Sequence, residues 1–260
     1  MRDLSSIAIV LVGPKGSLNI GSAARAMSNS GLSDLRLIAA ARHLNQAARQ
    51  MAMAGVPILE TARTYPDVDA AVADRYLVVG TSRRRGKARG PFLGPEAAVQ
   101  RILSLPEGHG AAILFGSEDV GLGTEALVKC HCCLELPAAP DSPSYNLAHS
   151  VVLVGHYLMR AASETGDEGA PDAIGEEAIA PHGELEGLYR HMLQTLRRIR
   201  FFRQGKSEDR MRDLRNIFER ARIDPREVRI FRGMMKQINY CLDRLERGEP
   251  LPEGEADQDD

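Results

Sequence analysis

Short apolar runs recur through the first half of the chain and alternate with segments whose apolar residues follow helical spacing. Strands that alternate with helices predict a parallel sheet covered by helices, and strands that are apolar throughout fit burial on both faces. The predicted strands are IAIVLV (7–12), LRLIA (35–39), VPILE (56–60), YLVVG (76–80), AAILFG (111–116) and CLELP (133–137), and the predicted helices cover 19–31, 44–54, 66–73, 95–104 and 123–129.

The second half of the chain has helical patterning interrupted by a polar segment. NLAHSVVLVGHYLMRAA predicts a long apolar helix with Asn146 as its cap. Three more helices are predicted at roughly 184–200, 207–221 and 225–246, the last one capped by Asp224 and started by Pro225. We therefore predict four parts: an α/β domain (1–162), a flexible acidic linker (163–183), a basic helical extension (184–247) and a disordered acidic tail (248–260).

Charge is unevenly distributed, although the net charge is only -2. Residues 161–189 hold eight acidic and no basic residues, whereas residues 190–247 hold 17 basic and 8 acidic ones. Such a basic segment favours binding to a polyanion, with a solvated helix face as the alternative.

No apolar run approaches the roughly 18 residues of a membrane helix, and the N-terminus resembles a first strand more than a signal peptide. We expect a cytoplasmic protein with no membrane contact.

Several common chemistries lack their residues here. Cys130, Cys132 and Cys133 crowd together, but no second ligand pair exists, so we expect a buried strand and no metal site. The loop GPKGSLNIG (13–21) lacks the Gly-Lys-Ser/Thr ending of a P-loop and the glycine spacing of a dinucleotide fingerprint. No serine lies in a G-x-S-x-G elbow.

Three irregular loops at strand ends carry the more specific signals. NIGSAARAM (19–27) opens a helix, FGSEDVGLGTEAL (115–127) places two acids on a glycine turn, and LPAAPDSPSYNLAHSV (136–151) runs through three prolines into a helix. Ligands of parallel α/β sheets bind at the carboxyl ends of the strands. We therefore expect the three loops to meet around one ligand.

The three motifs N-I-G-x-x-A-R-A-M, F-G-x-E-x-x-G-L and P-x-x-x-x-x-x-S-x-N-L, in this order, resemble the SpoU (TrmH-type) branch of the SPOUT RNA 2′-O-ribose methyltransferases. The basic helical extension is similar to that of the bacterial TrmJ-type enzymes. The resemblance implies a C-terminal trefoil knot, a homodimer and S-adenosylmethionine as cofactor. It also implies methyl transfer to a ribose 2′-hydroxyl of tRNA, in the anticodon loop at position 32.

The resemblance also implies a role for particular residues. Arg25 lies next to the ribose hydroxyl, either stabilising the developing alkoxide or removing its proton, and Asn19 and Glu118 orient it. A guanidinium stays protonated, which favours the electrostatic role; a plain surface arginine is the alternative. The small residues around Arg25 let its helix pack closely, against a second subunit. The cofactor is expected at Thr81, Ser82, Gly116, Leu136, Ser144, Tyr145 and Asn146, with Leu114, Leu136 and Leu147 covering its ring.

Two positions depart from the family pattern. Ser117 stands where the family usually has arginine, and Tyr145 stands where it usually has leucine.

The run SRRRGKARG is expected to bind tRNA phosphates, with a solvated loop as the alternative. Its basic residues are Arg83, Arg84, Arg85, Lys87 and Arg89.

Three other functions stay open at this point. Methylation of ribosomal RNA uses the same chemistry on another substrate. A catalytically decayed RNA-binding protein would keep the fold without the cofactor. A nucleotide-binding α/β domain would be expected to carry the phosphate fingerprint that this sequence lacks.

Overall fold

The computed structural model of the chain describes residues 3–40, 42–83, 91–142, 144–164, 179–202 and 206–250. They divide between two compact units, Met1–Gly183 and Glu184–Asp260. The strands are β1 Ile7–Val12, β2 Asp34–Ile38, β3 Arg63–Tyr65, β4 Leu77–Thr81, β5 Phe92–Leu93, β6 Ala111–Phe115 and β7 Cys132–Leu134. The α-helices are α1 Ser17–Asn29, α2 Gln46–Ala52, α3 Val56–Thr61, α4 Val68–Val72, α5 Pro95–Leu103, α6 Thr124–Leu127, α7 Leu147–Glu164, α8 His182–Arg198, α9 Ser207–Ala221 and α10 Pro225–Glu246.

The described strands form one sheet in the order β3-β2-β1-β6-β4-β7-β5, and all its strand pairs are parallel. Alternate side chains of each strand point to opposite faces. In β1, Ile9 and Leu11 join a core with helices α1, α2, α3, α5 and α7, whereas Ala8 and Val10 join a core with α4 and α6. This confirms the predicted parallel α/β sheet that is buried on both faces.

One predicted strand is wrong. VPILE (56–60) lies in helix α3, with Pro57 in its first turn and both Ile58 and Leu59 buried. An apolar run this short does not separate a buried strand from a buried helix. The structure instead has edge strands β3 and β5 of three and two residues, which are too short to leave a pattern in the sequence.

Small residues of α1 pack against neighbouring helical turns of the same chain. A Cβ atom at Gly21 would lie 2.2 Å from the Ala48 carbonyl oxygen of α2. A Cβ at Gly55, in the short 3-10 helix that follows α2, would lie 2.4 Å from the Ala24 carbonyl oxygen. Close packing of this helix is therefore found within one chain, and its contact with a second subunit stays a prediction.

The second unit is built from α9, α10 and most of α8, close to the predicted ranges. Val228 and Met235 of α10 are buried, and the Phe231 ring lies 4.9 Å from that of Phe218. The Asp224 side chain accepts from the Glu227 amide while the Glu227 side chain accepts from the Asp224 amide, which closes a capping box. The predicted start of this helix is confirmed.

The range predicted as a linker (163–183) is described only at its ends. Helix α7 continues to Glu164, while Ala180 and His182 are buried and the His182 amide donates to the Arg75 carbonyl oxygen. Residues 165–178 and the predicted tail from 251 onward lie outside the described residues. In the part of the chain that is described, no helix has the length and apolar character needed to cross a bilayer. The knot stays a prediction from the resemblance.

Candidate active site

Four neighbouring strands direct their carboxyl ends to one edge of the sheet. Strands β1, β6, β4 and β7 are adjacent and parallel, so the loops that follow them emerge side by side. These loops include the three motifs singled out in the sequence. Strands β1 and β6 pair directly although they are distant along the chain, and this pairing brings the first two motifs together.

The turn after β6 folds tightly over Gly116. A Cβ atom at Gly116 would lie 1.9 Å from the backbone of Gly121, so only glycine fits there. The Gly121 amide donates to the Ser117 carbonyl oxygen at 2.9 Å, with a positive φ of 67° at Gly121. This geometry fixes where the intervening acids, Glu118 and Asp119, leave the backbone.

Glu118 joins this turn to the start of helix α1. Its carboxylate accepts from the backbone amides of Lys15 at 3.1 Å and Gly16 at 3.4 Å, and from the Asn19 side-chain amide at 2.6 Å. Gly16 is the N-cap of α1 and has no side chain to cap the helix. Glu118 therefore supplies the acceptor and the negative charge that a helix N-terminus requires, from a residue distant in sequence.

Asn19 passes the connection on to helix α7. The Asn146 amide nitrogen donates to the Asn19 side-chain oxygen at 3.1 Å, and the Asn146 side-chain oxygen accepts from the Ala148 amide at 2.9 Å. A carboxylate only accepts and a backbone amide only donates, so Glu118 and Ala148 together dictate the orientation of both asparagine side chains. Asn146 is also the cap of α7, which confirms that prediction.

The carboxylates of the turn are held ionised. Partial burial raises the pKa of Glu118, but the hydrogen bonds from the Lys15 amide and from Asn19 outweigh it, and the pKa lies below its ordinary value. Hydrogen bonds from the Lys15 ammonium and the Ser117 hydroxyl lower the pKa of Asp119 to about 2. Glu118 is thus a poor proton acceptor at neutral pH and serves to position Asn19.

A cavity of about 290 Å³ opens between these loops. This volume is close to the lower limit of the ~300–1,000 Å³ range of ligand sites. Its wall combines backbone of the glycine turn, leucine side chains and hydroxyl groups, with Glu118 and Asp119 on one side. Of the predicted cofactor residues, the cavity is lined by Thr81, Ser82, Gly116, Leu136, Ser144 and Tyr145, while Asn146 lies outside the wall and bonds to Asn19.

Two residues that line the cavity make side-chain hydrogen bonds to the backbone. The Thr81 hydroxyl donates to the Leu114 carbonyl oxygen at 2.8 Å. The Tyr145 hydroxyl donates to the Pro137 carbonyl oxygen at 2.8 Å, which closes the long loop between β7 and α7 on itself. Leucine at position 145 has no group that could make this second bond.

Arg25 is not among the residues that the structure brings together in one chain. It follows Asn19 by six residues, which places it about 9 Å further along the helix and about 240° around it. Its side chain is exposed, does not line the cavity and makes no hydrogen bond or ion pair with the described residues. Its predicted catalytic role therefore stays a prediction.

The leucines around the cavity differ in part from the predicted ones. Leu136 and Leu147 line it, but Leu114 is fully buried in the core with α4 and α6, because alternation along β6 turns it to that face. Leu122 and Leu134, which sequence reasoning missed, contribute instead. Leu122 is the last residue of the motif F-G-x-E-x-x-G-L, and Leu134 lies two residues before Leu136.

The predicted RNA-binding run is described only at its first basic residue. Arg83 is exposed and lies at the edge of the cavity, whereas Arg84, Arg85, Lys87 and Arg89 lie outside the described residues.

The crowded cysteines Cys130, Cys132 and Cys133 are buried in the sheet region. Within the described ranges, no group of three or more potential ligand side chains is placed to bind a metal.

The chain is an α/β protein with a cavity at the carboxyl edge of a parallel sheet. A family model for the SpoU rRNA Methylase family matches residues 6–156, and one for the C-terminal domain of the tRNA methyltransferase TrmJ matches residues 183–249. The chain belongs to the SpoU methylase family.

Relatives match over nearly the whole chain. The tRNA (cytidine/uridine-2'-O-)-methyltransferase TrmJ of Yersinia pestis (strain Pestoides F) is 34% identical over 238 residues, covering 90% of this chain and 92% of that protein. The protein of that name from Klebsiella pneumoniae is 35% identical, covering 90% and 97%. The crystal structure of TrmJ from Z. mobilis ZM4 matches with a TM-score of 0.76 and 33% identity, covering 89% of this chain and 98% of that one.

Tyr145→Phe is expected to weaken S-adenosylmethionine binding about 2- to 10-fold, because the loop loses the hydrogen bond to Pro137 that closes it, worth ~0.5–1.5 kcal/mol. Titration calorimetry measures this directly. Tyr157→Phe, the same change on α7 outside the cavity, is the matched control and should bind like the unmodified protein. Equal affinity of the Tyr145 and Tyr157 variants would show that the hydroxyl does not shape the site.

Proposed function

We propose that this protein is an S-adenosylmethionine-dependent methyltransferase that methylates a ribose 2′-hydroxyl of tRNA, in the anticodon loop at position 32. The observation that carries the proposal is the continuous hydrogen-bond chain from Glu118 through Asn19 to Asn146, which ties the three motif loops around one cavity. The names of the Yersinia and Klebsiella relatives support tRNA as the substrate. We place the enzyme in the cytoplasm, where tRNA is available.

The cavity fits the cofactor by its chemistry. Leu122, Leu134 and Leu136 offer apolar contact to a flat ring, and the exposed backbone of the turn at Gly116 offers donors and acceptors to the ring's edge. The carboxylates of Glu118 and Asp119 line the cavity, and their negative charges favour a positively charged group of a ligand. When bound, S-adenosylmethionine supplies a methyl group that is already activated by the sulfonium charge.

The protein's own contribution is alignment and charge stabilisation. A ribose hydroxyl must be held in line with the methyl group, and such positioning accounts for much of the rate of a two-substrate reaction. Glu118 is ionised and its oxygens are occupied by donors, so it fixes Asn19 and does not take the proton. We assign Arg25 the stabilisation of the developing alkoxide and the adjacent phosphate, because its guanidinium stays protonated.

We propose that Arg25 reaches the cavity of a second copy of the chain. Within its own chain it projects away from the Asn19 side of α1 and is exposed. Exposed apolar side chains lie on the helices beside it, namely Leu18 on α1, Met51 on α2 and Val152 on α7. Such a surface supports a homodimer that completes the site with Arg25 of the partner subunit.

The reaction is tested by incubating bulk tRNA with the enzyme and methyl-labelled cofactor, followed by nuclease digestion and mass spectrometry. The proposal predicts label in 2′-O-methylated nucleosides that map to position 32. Label only on bases, or transfer only to ribosomal RNA in a parallel reaction, would contradict it. Absence of any heat on titration with S-adenosylmethionine would favour the RNA-binding protein without a cofactor.

Mixing two inactive variants tests the shared site. Arg25→Ala should abolish methyl transfer while cofactor affinity is kept, and Gly116→Leu should destroy the cavity of its own chain, because no side chain fits into the turn at that position. If Arg25 acts on the partner's cavity, subunit exchange in an equal mixture forms heterodimers with one intact site and restores roughly a quarter of the original rate. If Arg25 acts within its own chain, the mixture has no intact site and stays inactive. Unchanged turnover of Arg25→Ala alone would refute its role.

The outer face of α10 supports a second contact with RNA. It lies opposite the buried Val228 and Met235 and carries basic or neutral residues only. Two acids of α10 outside this face, Asp243 and Glu246, are paired with Arg198 of α8 at 2.7 and 3.0 Å. We call this face the basic stripe; it consists of Arg226, Arg229, Ile230, Gly233, Gln237, Tyr240 and Arg244.

The double variant Arg226→Ala/Arg229→Ala is expected to weaken tRNA binding and to reduce the slope of log affinity against log salt by roughly 0.7–0.9 for each phosphate that the protein no longer neutralises. Cofactor binding should not change, because the stripe belongs to the second unit. Arg210→Ala, at an exposed arginine on α9 outside the stripe, is the control. An unchanged salt slope in the double variant would count against the stripe as an RNA surface.

A further inference from the structure

Lys15 holds its ammonium group at the rim of the cavity. The residue lies just before the N-cap of α1, and its ammonium forms an ion pair with the carboxylate of Asp119, which lines the cavity. The other oxygen of Asp119 accepts from the Ser117 hydroxyl at 2.8 Å. The side chains of Ser117, Asp119 and Lys15 are thus linked in a row beside the Glu118–Asn19 contact.

This row stands where the sequence departs from its family. The resemblance places arginine at position 117, on the turn that carries Glu118, and this chain has serine there. The turn therefore lacks a cation of its own. The structure supplies one from a different segment, since the loop after β1 brings Lys15 to the same turn.

The ion pair contributes little to folding, which leaves the ammonium available for a ligand. The side chain of Lys15 is 67% exposed and that of Asp119 is 49% exposed, and ion pairs between such exposed groups are worth about 0–1 kcal/mol. An ammonium has three N–H donors, so it can keep Asp119 and still donate to an anion. In contrast, both carboxylate oxygens of Glu118 already accept hydrogen bonds from Lys15, Gly16 and Asn19 at the start of α1.

The charges around the rim give this cation a second effect on an approaching phosphate. Glu118 and Asp119 are both ionised, and without Lys15 they would present two negative charges to an approaching phosphate. Lys15 neutralises the outer of the two and adds a donor. Removing the Lys15 ammonium therefore takes away a donor for the phosphate and also uncovers a repulsion.

We propose that Lys15 is a substrate-binding residue whose ammonium takes an RNA phosphate next to the methylated ribose, in place of the arginine that Ser117 replaces. Ser117 and Asp119 are positioning residues that hold the ammonium at the rim. The proposal rests on the proposed function, which makes RNA the second substrate of this cavity.

The test compares Lys15→Ala with Lys129→Ala, a matched lysine that is paired with Asp69 at 2.7 Å and lies before the amino end of β7. For Lys15→Ala we expect the KM for tRNA to rise about 5- to 20-fold and the salt slope of tRNA binding to fall by roughly 0.7–0.9, the value for one phosphate. The melting temperature and the cofactor affinity should stay unchanged. Lys129→Ala should keep the original KM for tRNA and salt slope.

Two further variants separate a phosphate contact from a structural effect. Ser117→Arg added to Lys15→Ala should restore tRNA affinity and the salt slope, because it returns the cation from the other segment. Asp119→Asn added to Lys15→Ala should restore affinity in part without restoring the slope, because it removes only the repulsion.

An unchanged KM and salt slope in Lys15→Ala would overturn the proposal, as would failure of Ser117→Arg to restore binding. The salt slope is read from binding alone, so it tests Lys15 without any turnover. Absence of methyl transfer by the unmodified enzyme would instead overturn the proposed function.

Discussion

The hydrogen bonds of the Glu118 carboxylate are the constraint on which the site depends. Glu118 caps a helix whose own N-cap is Gly16, and it fixes the Asn19 side chain that reaches Asn146. Three segments that are distant in sequence thereby become one frame. Because a carboxylate at one end only accepts and a backbone amide at the other only donates, this frame has a single arrangement of donors and acceptors. A preorganised polar frame of this kind suits an enzyme that must align two substrates.

Different residues around this frame are expected to bind the cofactor, to bind RNA and to stabilise charge during the reaction. The glycine turn and the leucines around it form a cavity for a small molecule, and the rim outside them carries the exposed cations Lys15 and Arg83. Arg25 belongs to neither within one chain, which is why we expect a second subunit to complete the catalytic centre. We therefore expect separate substitutions to change the affinity for the cofactor, the affinity for RNA and the rate of the chemical step.

The sequence predicted the architecture well and the site in part. The continuous apolar runs of β1 and β6 were strong enough to predict a sheet buried on both faces, but VPILE was too short to distinguish helix from strand. Glu118 on the glycine turn after β6 and Asn146 at the start of α7 could be singled out from the sequence, while their roles at the site came from the family resemblance. Lys15 could not, because its importance arises from an ion pair across more than a hundred residues of chain. Leu114 was misassigned because successive side chains of a strand point to opposite faces of the sheet, and Leu114 points to the face covered by α4 and α6.

The most direct test is a double-mutant cycle on S-adenosylmethionine affinity, using Glu118→Gln and Asn146→Ala singly and together. These residues do not touch each other and are connected through Asn19. The account predicts a coupling energy of about 1 kcal/mol, within the ~0.5–3 kcal/mol range of residues in one network, which vanishes in an Asn19→Ala background. Additive losses within about 0.3 kcal/mol, with Asn19 present, would contradict it.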